Sequence, residues 1–228
     1  MFEIHINAPI IEIPIFGGIQ MPVTLLTAMT ASLIIILFAG IIRVFLIPKF
    51  KDQPSRLQML LEMAVDGVQS YTDSKVGAWA GKSLAPYIFT VAIFLLTNGL
   101  LELFGVRASM TDINCTIALA LITFALIQVF SIRKNGLWGR LKRLGKPTPL
   151  LFPIKLATEL AVPISLSCRL FGNILGGMIV MELLYSIIVV KWTGIPGLLS
   201  IYFTIFHTAM QTFIFITLSL TFIEEGIE

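Results

Sequence analysis

The sequence predicts an all-α integral membrane protein with five transmembrane helices, the last two long and strongly inclined, plus an amphipathic helix on the cytoplasmic surface. Three observations carry that prediction. Hydrophobic residues make up 57% of the 228, charged residues only 13%, and the mean hydropathy is +0.93, far from the balance of a soluble domain. Five apolar runs each reach the ~20 residues that a helix needs to cross a bilayer. One of those runs is about twice as long as a perpendicular crossing requires. No stretch is polar enough for a separate soluble domain, so residues 1–228 read as a single integral membrane domain.

The spans fall at about Val23 to Ile47, Leu84 to Phe104, Ile113 to Ile132, Leu150 to Val190 and Ile195 to Ile223. The opening "MFEIHINAPI" lacks a basic leader, so the first run reads as a retained span and not a cleaved signal. Lys49, Lys51, Arg56, Lys75 and Lys82 flank the first connection, and "RKNGLWGRLKRLGK" supplies six more basic residues to the third. The opposite side shows Arg107 and Lys191 beside Glu3, Glu12, Glu102 and Asp112. The positive-inside rule then puts the N-terminus outside and both basic loops and the acidic C-terminus in the cytoplasm.

Between the first two spans, at about residues 54–75, Leu57, Leu60, Leu61, Ala64, Val65 and Val68 recur at helical spacing, with Glu62, Asp66, Gln69 and Asp73 on the other face. Pro54 suits a first helical turn. This helix lies on the cytoplasmic surface, against lipid or against its own spans.

The fourth run holds 41 residues, which at ~1.5 Å each extend ~61 Å across a hydrocarbon layer of ~30 Å. Its middle carries Arg169 and no turn cluster, so an inclined or bent single helix explains the length better than a hairpin. Pro153, Pro163 and Gly176 with Gly177 are the candidate bend sites. The last run is also over-long and follows the same slope.

Ionisable side chains inside a span are costly and mark function by default. The fourth run has three: Glu159, Arg169 and Glu182. Glu159 lies ten residues before Arg169 and Glu182 thirteen after it, ~15 Å and ~20 Å along a helix axis, so neither pairs with it on a continuous helix. Ser165, Arg169 and Asn173 form a polar stripe beside Gly172 and Gly176, the composition of a surface that another helix approaches. Thr204, His207, Thr208, Gln211 and Thr212 make a second polar stripe on the last span, covering its outer part and ending near the level of Arg169. The counter-charge of Arg169 is therefore expected from another subunit, with polar tracks approaching it from each side. Hydrogen bonding of Arg169 to backbone carbonyls, and structural roles for the two glutamates and for His207, are the competing readings.

Other classes are disfavoured. The basic residues sit in membrane-flanking loops without aromatic platforms, which argues against nucleic acid. Cys115 and Cys168 form no Cys-x-x-Cys pair and have no His cluster nearby, so no metal or disulfide framework is expected. No nucleotide loop or nucleophile–base set is present, and no cofactor is implied. A self-contained ion channel or secondary transporter stays open as an alternative, although no internal repeat supports it.

At "ELAVPISLSCRLFGNILGG", Glu159 to Gly177, and at "HTAMQTFIFITLSL", from His207, the sequence resembles subunit a of F-type ATP synthases of the bacterial kind. The likeness covers most of the chain. It implies a stator subunit, not an enzyme on its own, that faces a rotating c-subunit ring, is held by the b-subunit peripheral stalk, and carries H⁺ or Na⁺ through two half-channels in the cell membrane. It implies that Arg169 faces the ion-carrying carboxylate of the ring, with Asn173 and Gln211 in the same region. Where many members carry Glu or His, this chain has Met178 and Thr204; Glu182 and His207, each one turn away, are the candidate substitutes. Glu159 is placed on the cytoplasmic path, with Lys155 one turn away as an alternative ion-pair partner.

Overall fold

The computed structural model describes residues 10–13, 19–50, 55–104, 106, 108–144, 152–186 and 195–227; of the side chains at 10–13, 19–21, 137–144, 152, 156, 182, 184, 185, 195 and 196 only the backbone course is described. The first elements are two short strands, β1 (Ile10–Ile13) and β2 (Ile19–Pro22). They pair antiparallel, with Ile10 opposite Pro22 and Ile13 opposite Ile19. This hairpin adds to the helical domain that the apolar runs anticipate, and it leads straight into the first span.

Helix α1 (Val23–Ile41) continues through a π-helical turn at Ile42–Leu46 and a 3₁₀ turn at Ile47–Lys49, making one span of 27 residues. Its buried residues are Thr24, Thr27 and Ala31, while Leu33, Ile36, Leu37 and Phe38 are exposed, as suits a peripheral helix facing hydrocarbon. The Thr24 hydroxyl donates to Asp112 at 3.0 Å and ties its start to the segment ahead of the fourth helix.

Helix α2 (Arg56–Val76) is the amphipathic helix, capped by the Ser55 hydroxyl, which accepts from the Gln58 amide at 3.4 Å. Pro54 lies outside the described residues. The helix packs on its neighbours through the side that bears the buried Gln58 and Thr72. Much of its apolar row is left uncovered by the chain: Leu57 is 67% and Leu60 64% exposed. Tyr71 reaches the last helix, its hydroxyl 2.9 Å from that of Thr217 and its ring 6.3 Å from Phe213.

Gly77, at φ 78° and ψ 156°, turns the chain in one residue from α2 into α3 (Ala78–Glu102). That backbone region is closed to residues with a Cβ. The span therefore begins ahead of the expected Leu84, with Lys82 inside its first turns. A 3₁₀ turn at Ser109–Thr111 leads to α4 (Ile113–Leu144). Here the structure corrects the reading of "RKNGLWGRLKRLGK" as a loop. The backbone stays helical to Leu144 except for a break at Gly136, φ 69° and ψ 165°. A single glycine redirects the chain, and the basic stretch beyond it coils again.

Helices α5 (Phe152–Ser186) and α6 (Ile195–Ile227) have 35 and 33 residues, ~52 Å and ~50 Å of helix. Each exceeds the ~30 Å hydrocarbon layer, so it crosses at a slope or projects beyond it. The described backbone of α5 is helical without interruption through Pro163, Gly176 and Gly177, the candidate bend sites. Two apolar clusters bind α3, α4, α5 and α6. Val91, Leu95, Leu119, Leu166, Leu170 and Phe215 form one; Ala80, Leu84, Ile127, Phe130, Ile223 and Ile227 form the other, nearer the chain's C-terminal end.

Candidate functional site

Helix α5 has two faces of different character. Leu166 and Leu170, 2% and 0% exposed, enter the core, whereas Ser165, Arg169, Gly172 and Gly176 lie on the open side. Two of those open positions are glycines with nothing within 4 Å of where a Cβ would stand. The result is a shallow, small-residue strip with a guanidinium beside it. Among the described residues Arg169 makes no hydrogen bond or ion pair with its own chain. A guanidinium keeps its proton under any ordinary condition, so this is a fixed positive charge on an uncovered face.

One turn along α5, the Asn173 amide donates to the Gln211 side-chain oxygen at 2.6 Å. The polar stripe of α6 is turned inward: Thr204, Thr208, Gln211 and Thr212 are all buried. The open side of α6 is instead apolar, with Tyr202, Phe206, Met210 and Phe213 exposed. Close approach to α3 makes this inward stripe possible, since a Cβ on Gly99 would run into the Thr208 side chain. His207 is half-buried, and its Nε2 is buried without a hydrogen-bond partner.

Two cavities with polar side chains in otherwise largely apolar linings flank this centre. One, of about 20 Å³, lies between α3, α5 and α6 and is lined by Asn98, Glu102, His207, Thr208 and Gln211 among others. The other, of about 160 Å³, lies between α4, α5 and α6 toward the opposite end of the bundle. Lys155, Glu159 and Glu225 line it with Gln128 and Ser131, and each of those three charged residues already has an interaction partner. The larger cavity has room for several waters and the smaller for about one.

The structure thus brings Asn173, Gln211 and His207 to one locality and places Glu159 in the other cavity, ~15 Å of helix from Arg169. Ser165 shares the open face with Arg169, and Thr204 is buried without lining either cavity. The backbone of Glu182 is helical, but its side chain lies outside the described residues. Glu102 and Glu225 went unselected by sequence reasoning. Each stands at the end of an apolar run, where an acid reads as a loop charge, and their shared cavities appear only once the helices are packed. Among the described residues no group of three His, Cys, Asp or Glu side chains could hold a metal.

Five helices long and apolar enough to span a bilayer, a fixed cation on an uncovered face and cavities holding titratable side chains between the inner helices define a multi-pass membrane protein organised around charge. Residues 25–224 match the family model described as ATP synthase A chain, and the chain belongs to that family. It is 32% identical over 190 residues to "ATP synthase subunit a, sodium ion specific" of Propionigenium modestum, covering 76% of this chain and 64% of that protein. The chain thus spans slightly less than two thirds of that relative's length. It is 33% identical over 189 residues to the chloroplastic subunit a of Stigeoclonium helveticum, covering 78% and 75%. With ATP synthase subunit a of Moorella thermoacetica the figures are 32% over 199 residues, 85% and 86%.

Proposed function

We propose that this chain is the non-catalytic ion-translocating stator subunit of an F-type ATP synthase, and that Arg169 faces the ion-carrying carboxylate of a rotating c-subunit ring. The observation that carries the reading is the placement of Arg169: on the open face of an over-long helix, beside two glycines, without a partner in its own chain among the described residues. A cation at mid-span is too costly to be left facing hydrocarbon, so the face awaits an anion. An arriving carboxylate is favoured in its ionised form there and gives up its proton or Na⁺. Because the guanidinium does not itself release a proton, it separates the two aqueous paths and couples ion flow to rotation.

The cavity lined by Glu159, Lys155 and Glu225 is the cytoplasmic half-channel in this reading, and the one lined by His207 and Gln211 the outer half-channel. In this reading the N-terminus is outside and the C-terminus inside, which the basic residues near Lys49 and Lys134 support by the positive-inside rule. The b-subunit peripheral stalk holds the chain against the ring. The transported ion is H⁺ or Na⁺, one relative being named sodium ion specific.

The test is Arg169→Ala in the intact complex. ATP-driven ion pumping is expected to fall to background while the complex still assembles; sustained coupled pumping would reject the reading.

A further inference from the structure

We propose that Glu102 is a proton-exchanging carboxylate of the smaller cavity, passing protons to His207, so that this cavity conducts H⁺ and not Na⁺. The inference rests on the reading of the chain as an ion-translocating subunit. It goes beyond the motifs around Arg169 and Gln211, because Glu102 belongs to α3, a helix that contributes neither motif.

The cavity has room for about one water, and α3 lines it through Asn98, Gly99 and Glu102. Glu102 and His207 are the titratable residues of that lining. Its amides and one of its hydroxyls are committed elsewhere. The Asn98 oxygen accepts from Ser109 at 2.5 Å and its amide donates to the Phe94 carbonyl; the Gln211 oxygen accepts from Asn173; the Thr212 hydroxyl donates to the Thr208 carbonyl. The Nε2 of His207 has no such commitment, although it is buried. A buried, unpartnered imidazole nitrogen is unfavourable in a resting structure unless it has a proton or a water to exchange.

The ring also has a direction. Its Cε1–Nδ1 edge lies over Gly177 of α5, 3.6 Å from where a Cβ would stand, one turn beyond Asn173. One edge of His207 thus faces the helix of Arg169, while the side chain lines a cavity shared with α3. An imidazole takes a proton at one nitrogen and releases one from the other, and it is a poor ligand for Na⁺, which seeks oxygen donors.

The cycle balances. The Glu102 carboxyl, protonated from outer water, gives its proton to the neutral imidazole, directly or through one water, leaving a carboxylate and an imidazolium. The imidazolium releases a proton to the ionised rotor carboxylate that has been discharged at Arg169, and returns to neutral. Outer water then reprotonates Glu102.

The experiment uses the whole complex in proteoliposomes, with ATP synthesis driven by an outward acid step and followed against outer pH in Na⁺-free buffer. Glu102→Gln is expected to slow synthesis at least tenfold. Glu102→Asp is expected to keep most of the rate while lowering by about 0.4 the outer pH above which synthesis falls off, the difference between the two carboxyl types. That shift separates proton exchange from a structural role, and it decides the matter if the Gln variant fails to assemble. A rate and pH profile unchanged in both variants, or a requirement for Na⁺, would overturn the proposal while the loss in Arg169→Ala persists. Coupled synthesis in Arg169→Ala would instead remove the reading beneath it.

Discussion

The Asn173 amide of α5 and the Gln211 side-chain oxygen of α6 meet at 2.6 Å, one helical turn from Arg169. The pair fixes the register of the two longest helices at the level of the fixed charge. Interhelical side-chain hydrogen bonds in membranes contribute about 0.6 kcal/mol on average and up to about 1.7. Asn173→Ala and Gln211→Leu should each slow ATP synthesis several-fold. The double variant should be no worse than the poorer single one, because both remove the same contact. Fully additive losses in a double-mutant cycle would show that the pair does not act as a unit.

A second contact sets how closely α3 approaches α6. A Cβ on Gly99 would collide with the Thr208 hydroxyl, methyl and Cβ, so the whole side chain would have to yield. Gly99→Ala should therefore destabilise the assembled complex by about 1–3 kcal/mol, as overpacking does. Adding Thr208→Ala removes the hydroxyl and methyl but keeps the Cβ, so it should recover part of the loss. Thermal inactivation of the purified complex measures both; a Gly99→Ala complex as heat-stable as wild type would disprove the close contact.

The fold was readable because hydrophobic length is a nearly sufficient signal for a spanning helix: runs beginning at Val23 and Ile113 start helices at those same residues, and the run from Ile195 to Ile223 is helical throughout. What the pattern did not give were single-residue backbone events. Gly77 and Gly136 each sit inside an otherwise helical stretch, and nothing in periodicity distinguishes a glycine at positive φ from one packed in a helix such as Gly99. The polar stripe of α6 was visible in sequence, but its inward direction depends on Gly99 of another helix. Glu102 and Glu225 were hidden for a related reason. A charge at a span's end has the same sequence appearance whether it meets solvent or closes a cavity.

Tyr71 anchors the amphipathic α2 to α6 in two ways that substitution can separate. Tyr71→Phe removes the hydroxyl contact with Thr217 and keeps the ring beside Phe213. Its cost should be about 1 kcal/mol or less, since Thr217 already donates to the Phe213 carbonyl. Tyr71→Ala removes the ring as well and should cost about 3 kcal/mol, less if the site collapses. Protease accessibility of α2 in membrane vesicles should rise in Tyr71→Ala and stay near wild type in Tyr71→Phe. Equal exposure in both would assign the anchoring to the hydroxyl.

Replacing Arg169 with lysine tests whether permanence of charge, and not merely its sign, matters at the open face. An ammonium can shed its proton when a neighbouring helix covers it and strips its water, because desolvation disfavours the charged form, whereas a guanidinium stays charged. The substituted side chain is then charged at low pH and neutral at high pH. Coupled ATP synthesis in Arg169→Lys should therefore be at least about tenfold below wild type, a barrier change of about 1.4 kcal/mol. The deficit should widen as pH rises through roughly 6 to 9, the direction in which lysine is discharged and arginine is not. If Arg169 separates two aqueous paths as proposed, proton leak through vesicles stripped of the catalytic head should rise over the same range, since a neutral amine would no longer do so. A constant ratio of variant to wild-type activity at every pH would mean that the lysine keeps its charge, and that arginine is needed there for its fork of donors and not for its permanence.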